Sequence, residues 1–334
     1  MEKFGTIIGA ILALLTSFLV GVVFAPLVIR LAKRLHAGQP ILSYVEQHAA
    51  KAGTPTFGGF IFLVPSLLTV IAFSVNRGLS VGLIAAFVTV SFSVLGFLDD
   101  FIKIRTKDNM GLRPYQKIVG QVAIALIVSF YAFRRIGSGV FLPFYGKEVD
   151  FGVFYVPFAA FVYLALSNCV NLTDGIDGLA SNTSLVYLFT FGVVQIICLF
   201  TSEAEPTLIF FTFALIGGVA AFLLFNTNRA SIFMGDTGSL ALGGASAAIA
   251  LFTKQPFLIL FVGITYVVSG ISIVLQVAYF KWTRGKRIFL MAPFHHHLEK
   301  KGLGEAKICN LYFTITLMMG ALAILSVVVG LYAL

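Results

Sequence analysis

Residues 4–29 read FGTIIGAILALLTSFLVGVVFAPLVI and contain no charged side chain. The run is longer than the apolar core of a signal peptide, and no convincing small-residue cleavage site accompanies it. An α-helix needs about 20 apolar residues to cross the hydrocarbon core of a bilayer. This stretch therefore predicts a first transmembrane helix.

The rest of the chain is equally apolar: 59% of its 334 residues are hydrophobic, only 11% are charged, and the mean hydropathy is +0.98. Such a composition excludes a soluble fold and predicts an all-α polytopic membrane protein that forms a single domain over residues 1–334. Ten apolar runs predict about ten transmembrane helices: Phe4 to Leu31, Phe57 to Val75, Leu79 to Leu98, Ile118 to Phe133, Phe154 to Val170, Thr183 to Phe200, Thr207 to Phe225, Thr237 to Phe252, Pro256 to Phe280 and Ile308 to Leu334.

The distribution of basic residues predicts the orientation. The loops after the odd-numbered runs hold 17 of the 23 Lys and Arg residues. Positive charge accumulates on the cytoplasmic side of a membrane, so these loops are expected inside and both termini outside. The net charge of +9 then reflects loops near anionic lipid, and nucleic-acid binding is not predicted. Residues 137–152 are compatible with a small external hairpin.

The three cysteines, Cys169, Cys198 and Cys309, lie in or beside apolar runs. Their odd number and irregular spacing predict neither a disulfide framework nor a zinc ribbon.

Unusual polar residues are concentrated in the loops that are expected to be cytoplasmic. Each of these five loops holds one cluster, and the loops on the other side hold none of comparable density. We expect the five clusters to converge into one site on the cytoplasmic face. They are Lys51–Gly59, Gly96–Lys103, Asn171–Gly178, Asn226–Gly238 and Ala292–His297.

The adjacent carboxylates Asp99 and Asp100 stand at a helix end, where uncompensated charge near lipid is costly. They indicate either a metal ion or a basic partner such as Lys103, Lys117 or Arg113. A simple cap at the helix exit is an equally good interpretation of the pair taken alone.

Asn171, Asp174 and Asp177 recur every three residues. That spacing fits one face of a helix, while Gly175 and Gly178 fit a tight turn equally well. The pattern differs from that of an EF-hand calcium loop.

Asp236, between Gly235 and Gly238, begins a predicted helix. Backbone amides there favour an anion or phosphate, although a plain helix cap is also possible.

His295, His296 and His297 are consecutive, so at most two of their rings can reach one point. They lack the spacing of a zinc protease, and phosphate contacts or proton transfer are the favoured roles.

Three segments carry a family resemblance: NLTDGIDGLA at 171–180, FMGDTGSLALGG at 233–244 and MAPFHHH at 291–297. In them the sequence resembles the polyprenyl-phosphate N-acetylhexosamine-1-phosphate transferases, and within that superfamily the phospho-N-acetylmuramoyl-pentapeptide transferase family. The similarity covers almost the whole chain. It implies ten helices, a homodimer in the bacterial inner membrane, Mg²⁺, and transfer of phospho-MurNAc-pentapeptide from UDP-MurNAc-pentapeptide to undecaprenyl phosphate.

The resemblance also implies roles for individual residues. Asp236 resembles the principal Mg²⁺ ligand, Asp99 and Asp100 the essential carboxylate pair, and His295 a required partner near the phosphates. The residues that resemble the uridine pocket are Lys51, Asp177, Asn226 and Phe233, with Phe233 stacking on uracil. Thr56, Asn171, Asp174 and His296 would line the sugar and phosphate region, and Lys103 and Lys117 complete the substrate-binding set. Where several family members carry a glutamate in the ninth helix, this chain has Ser269.

Two other functions are compatible with parts of the pattern. A transporter or channel would also carry membrane carboxylates, but near the bilayer midplane rather than at helix ends. A related GlcNAc-1-phosphate transferase would share the aspartate clusters, and the three histidines favour the muramoyl enzyme.

Overall fold

The computed structural model describes residues 1–35, 53–75, 78, 80–106, 111–201 and 204–332. Within them the chain is almost entirely helical. The helices are α1 (Glu2–Arg34), α2 (Phe60–Ser74), α3 (Val81–Thr106), α4 (Pro114–Arg135), α5 (Tyr155–Thr173), α6 (Leu179–Thr201), α7 (Pro206–Asn226), α8 (Gly235–Phe252), α9 (Ile259–Val262), α10 (Ile264–Trp282), α11 (Phe294–Lys300) and α12 (Glu305–Tyr332).

Eight helices of the described ranges are long and apolar enough to cross a membrane. The predicted all-α polytopic membrane fold is therefore confirmed. The predicted second span is the shorter apolar helix α2, and the predicted eighth span is α8, which is rich in glycine and alanine.

The predicted ninth span, Pro256 to Phe280, is interrupted. A 3₁₀ turn (Pro256–Leu258) leads into the four-residue α9, and α10 begins only after Gly263. The backbone of Gly263, at φ −92° and ψ 10°, leaves the helical region at this point. Helix α11, which carries the three histidines, was not among the predicted spans.

Helices α7 and α8 form the centre of the bundle. α7 is apolar on all sides and packs against α1, α2, α3 and α6. α8 packs between α3 and α5, and its small side chains allow a close approach: a Cβ on Gly243 would lie 2.5 Å from the Cα of Ser167. Large apolar side chains on α1, α4, α10 and α12 face outward, as expected for helices in contact with lipid.

The predicted hairpin is confirmed at one end of the bundle. Strands β1 (Gly139–Phe141) and β2 (Glu148–Asp150) pair in antiparallel fashion. Lys254, just beyond the end of α8, forms an ion pair with Glu148 over 2.8 Å. The start of α8 and the polar clusters lie at the opposite end.

Candidate active site

The first turn of α8 packs closely against two segments, the one that contains Gly58 and Gly59 and helix α3. The Gly58 N–H donates to the carbonyl of Phe233 over 2.8 Å, and the Gly59 N–H donates to that of Met234 over 3.1 Å. A Cβ on Gly59 would lie 2.5 Å from the Cα of Gly238, and one on Gly96 of α3 would lie 2.0 Å from the carbonyl oxygen of Asp236. Only glycine at these positions lets the three segments meet.

Asp100 holds the amino end of α8. Its Oδ1 accepts the N–H of Asp236 over 3.1 Å. Its Oδ2 accepts the N–H of Thr237 over 2.8 Å and the hydroxyl of Thr237 over 2.7 Å. A carboxylate that accepts free amide groups at a helix start is stabilised by both the hydrogen bonds and the helix dipole. Of the alternatives for Asp100, the structure supports the cap, although the helix it caps is α8 and not its own.

Asp236 is the centre of the polar cluster. Its Oδ2 lies 3.1 Å from Nζ of Lys103 and 2.9 Å from Nζ of Lys117. Its Oδ1 accepts a hydrogen bond from Nδ2 of Asn171 over 2.7 Å. The same amide lies 2.8 Å from Oγ of Ser239, which is one helical turn after Asp236. Helices α3, α4, α5 and α8 thus meet at one carboxylate.

Asp99 lies beside this centre. Its Oδ2 is 2.6 Å from Nζ of Lys103, and its Oδ1 accepts the N–H of Leu112 over 2.7 Å. Ligand atoms of Asp99, Asp100 and Asp236 all lie within 4.8 Å of one another. Carboxylate oxygens are the donors that Mg²⁺ prefers, so the cluster is suited to such an ion. Of the basic partners expected for the acidic pair, Lys103 contacts Asp99, whereas Lys117 contacts Asp236.

The Asn171–Gly178 segment forms a turn. Asn171 is in the last turn of α5, Asp174 follows the helix end, and Gly178 has a φ of +75°. Asn171 and Asp174 therefore do not continue on one helical face with Asp177. Burial raises the pKa of the Asp174 carboxyl well above its usual value, and the nearby charges of Asp236, Asp100 and Asp177 raise it further.

A second group of hydrogen bonds fixes the segment that precedes α8. Asn226 accepts from the N–H of Gly178 and the hydroxyl of Ser181, and its Nδ2 donates to the carbonyl of Ile232 over 3.1 Å. Asp177 Oδ2 accepts the N–H of Ala230 over 3.0 Å. Both residues are buried, so they hold the segment that carries Phe233, whose own side chain is partly exposed.

Two of the three histidines face the turn. A Cβ on Gly175 would lie 2.4 Å from Nε2 of His295 and 3.1 Å from Nε2 of His296. The rings of His295 and His296 are edge to face with centroids 4.3 Å apart. His297 instead accepts the N–H of Leu290 at Nδ1 over 3.1 Å. The prediction that at most two rings reach a common point is confirmed.

Thr56 is fully buried beside Asp100, and its hydroxyl makes no hydrogen bond within the described ranges. Lys51 lies outside the described residues. Ser269, at the departure from the family pattern, is buried in α10 and donates to the carbonyl of Thr265.

Sequence reasoning missed Thr237 and Leu112, which contact Asp100 and Asp99, and Ser239, which contacts Asn171. The position of Ser239, one turn after Asp236 on a helix, was a usable signal. The Leu112 contact uses a backbone group, which no side-chain pattern reveals.

Comparisons with known proteins identify the family of this chain. A family model described as "Glycosyl transferase family 4" matches residues 82–254. A phospho-N-acetylmuramoyl-pentapeptide-transferase of Clostridium perfringens is 40% identical over 95% of this chain and 98% of its own length. Those of Desulfitobacterium hafniense and Listeria innocua are 38% and 42% identical, over 97% and 94% of this chain and 98% and 96% of their own lengths.

The match over residues 82–254 and the helices that can cross a membrane define this chain as a membrane glycosyl transferase of family 4. Within that class, the chain belongs to the phospho-N-acetylmuramoyl-pentapeptide transferase family.

Proposed function

We propose that this transferase moves phospho-MurNAc-pentapeptide from UDP-MurNAc-pentapeptide to undecaprenyl phosphate, which gives lipid I and UMP. The observation that carries the proposal is the meeting of three carboxylates and two lysines at one end of a membrane bundle. A water-soluble nucleotide and a lipid phosphate can meet only at such an end. The names of the relatives indicate the same reaction.

Lys103 and Lys117 are the groups suited to hold the diphosphate. Both ammonium groups lie within 3.1 Å of Oδ2 of Asp236, and they belong to flexible side chains that are partly accessible. A lysine acts as a compact point charge toward phosphate oxygens. We expect both to exchange part of their contact with Asp236 for the substrate.

The donor set fits Mg²⁺ because it consists of closely spaced carboxylate oxygens. Asp236 and Asp99 would hold the ion, since each has an oxygen paired with lysine that a divalent cation could take over. Both oxygens of Asp100 instead accept backbone N–H groups that fix the start of α8. Bound there, Mg²⁺ would offset the negative charge of the diphosphate. Asp100 acts as a positioning residue, because it fixes the start of α8, which carries Asp236.

We propose a direct transfer. An oxygen of the lipid phosphate attacks the β-phosphorus of the nucleotide, the bond from that phosphorus to the bridging oxygen breaks, and UMP leaves with the electron pair. A phosphate monoester has a second pKa of about 6, so at neutral pH Asp99 need only take any proton that remains on it. The alternative, attack by an aspartate to give a covalent intermediate, would require a second transfer step to the lipid phosphate.

The remaining polar residues surround this centre. Phe233 would stack on uracil, and Lys51 and Asp177 would contribute to the same uridine pocket. Asn226 would act by holding the segment that carries Phe233. We assign Thr56, Asn171, Asp174 and His296 to the sugar and phosphate region, and His295 to the phosphates, because the two histidines reach the Asn171–Gly178 turn.

The distribution of basic residues supports placing this end of the bundle at the cytoplasmic face of the bacterial inner membrane, with both termini outside. We further propose a homodimer, as the family resemblance implies.

The test uses purified protein with undecaprenyl phosphate and either UDP-MurNAc-pentapeptide or UDP-GlcNAc. Release of UMP together with a lipid-linked product from the muramoyl nucleotide is expected, and Asp236→Asn is the matched inactive control. Product formation from UDP-GlcNAc, but not from UDP-MurNAc-pentapeptide, would assign the chain to the related GlcNAc-1-phosphate transferases. Accumulation of a solute in sealed vesicles without UMP release would indicate transport.

A further inference from the structure

The last turn of α10 and the segment that follows it expose both cations and large apolar side chains. We call residues 281–290 the basic loop. It contains Lys281, Arg284, Lys286 and Arg287, all exposed. Trp282 is 82% exposed, and Ile288 and Leu290 are 47% and 53% exposed. The apolar residues thus stand on either side of the last three cations.

Neither the neighbouring sequence nor an ion pair among the described residues compensates the positive charge of the basic loop. Between Asp236 and Glu299 the sequence contains no acidic residue. Within the described part of the chain, none of the four cations takes part in an ion pair. A surface of this kind attracts an anionic partner from outside the chain.

The basic loop is held in place by its own helix. Gln276 of α10 accepts the N–H groups of Ile288 and Phe289 at Oε1, over 3.1 and 2.9 Å, and donates to the carbonyl of Phe289 over 3.1 Å. Just beyond it, Ser272 accepts the N–H of Phe294, the first residue of α11, over 3.0 Å. The cations are therefore displayed at a defined place, next to the helix that carries His295 and His296.

We infer that the basic loop binds the headgroups of anionic phospholipids, while Trp282, Ile288 and Leu290 lie in the membrane interface. Tryptophan is favoured at the boundary between hydrocarbon and headgroups. Clustered Lys and Arg residues at that depth attract anionic lipids. If the cations served only to orient the protein in the membrane, positive charge on one side would be enough. The flanking apolar residues and the three hydrogen bonds to Gln276 would then have no purpose.

The chain provides its own probe, because Trp282 is its single tryptophan. The full-length protein is reconstituted into vesicles of phosphatidylcholine and phosphatidylglycerol at one fixed composition. In one set the phosphatidylglycerol carries brominated acyl chains, and in the other set an equal amount of the phosphatidylcholine does. Bromine quenches tryptophan fluorescence at short range, so the two sets report which lipid surrounds Trp282. Activity is not needed for this measurement.

We expect brominated phosphatidylglycerol to quench Trp282 roughly twofold more than brominated phosphatidylcholine, with the excess declining as salt screens the charges. Lys286→Gln combined with Arg287→Gln should remove most of that excess. The matched control is Arg30→Gln with Lys33→Gln, which removes one Arg and one Lys from the exposed end of α1 and should leave the excess unchanged.

Three outcomes would overturn the inference. Equal quenching by the two lipids would mean that no anionic lipid is enriched at the loop. Weak quenching by both would place Trp282 in water. If the excess quenching fell equally in the variant and in its control, the effect would come from the overall charge of the protein.

Discussion

Replacing Asp100 by Asn tests whether this carboxylate positions α8 or takes part in the chemistry. The carboxylate accepts three hydrogen bonds and is buried. An Asn carbonyl can replace Oδ2, but its NH₂ group would then face the N–H of Asp236, donor against donor. A buried amide left without an acceptor costs about 1 to 3 kcal/mol. We expect Asp100→Asn to lower the free energy of unfolding by that amount and to reduce turnover as well.

The measurement is unfolding by sodium dodecyl sulfate in mixed micelles, followed by circular dichroism, beside a turnover assay. Thr237→Val removes only the hydroxyl bond to Asp100 and should cost about 1 kcal/mol. The double variant should cost less than the sum of the two, because both changes disrupt one network.

Asp99→Asn is the matched control, since its carbonyl can still accept the N–H of Leu112, and Lys103, which loses its partner, is partly accessible to water. Asp99→Asn should reduce turnover but lower the free energy of unfolding by less than Asp100→Asn does. If Asp100→Asn abolished turnover while its unfolding free energy matched that of the unmodified protein, the positioning role would be wrong, and Asp100 would belong to the reacting groups.

Four further predictions follow from the site and the helices beside it. Turnover should cease in excess chelator and return with Mg²⁺ or Mn²⁺, because the clustered carboxylates must coexist with a diphosphate; full turnover without a divalent cation would contradict this. Phe233→Ala should raise KM for the nucleotide by a factor equivalent to about 1 to 3 kcal/mol with little change in kcat, and an unchanged KM would make Phe233 a packing residue. A chiral phosphorothioate at the β-phosphate should show inversion through one turnover, whereas retention would make Asp99 or Asp100 the nucleophile. Gln121→Leu and Asn168→Leu should each lower the unfolding free energy by about 1 kcal/mol, since the two amides bond each other between α4 and α5 over 2.9 and 3.4 Å; strict additivity in the double variant would show that they do not interact.

The apolar pattern predicted the existence of the long helices well, and their ends less well. Hydropathy identifies the part of a helix that lies in hydrocarbon, while the helix itself continues into the interface. The predicted third run ended at Leu98, yet α3 continues to Thr106. Because of that continuation, Asp99 and Lys103 stand one turn apart on the same helix and form an ion pair.

Breaks within apolar runs were not predicted. Gly263 interrupts the ninth run, although glycine is common inside membrane helices and does not by itself indicate a break. The short helix α11 has no apolar run of its own, so hydropathy could not detect it. What the sequence did contain was Pro293, which stands immediately before α11.

The clusters of the site were visible in the sequence, but not their pairings. Asp100 and the amide of Asp236 are 136 residues apart, and no local pattern connects them. For Asp177 and Asn226, the resemblance implied contacts to uridine. The structure adds the hydrogen bonds by which both hold the segment before Phe233, which depend on how α6 meets the end of α7.

The close contacts of Gly59 and Gly96 with the start of α8 limit how this enzyme can change over time. Neither position can gain even a methyl group without displacing the backbone that carries Asp236. A compound that recognised this backbone would therefore leave the organism few routes to resistance. Substitutions that preserve growth would have to arise at the accessible rim, for example around Phe233, where a side chain can change without moving the helix.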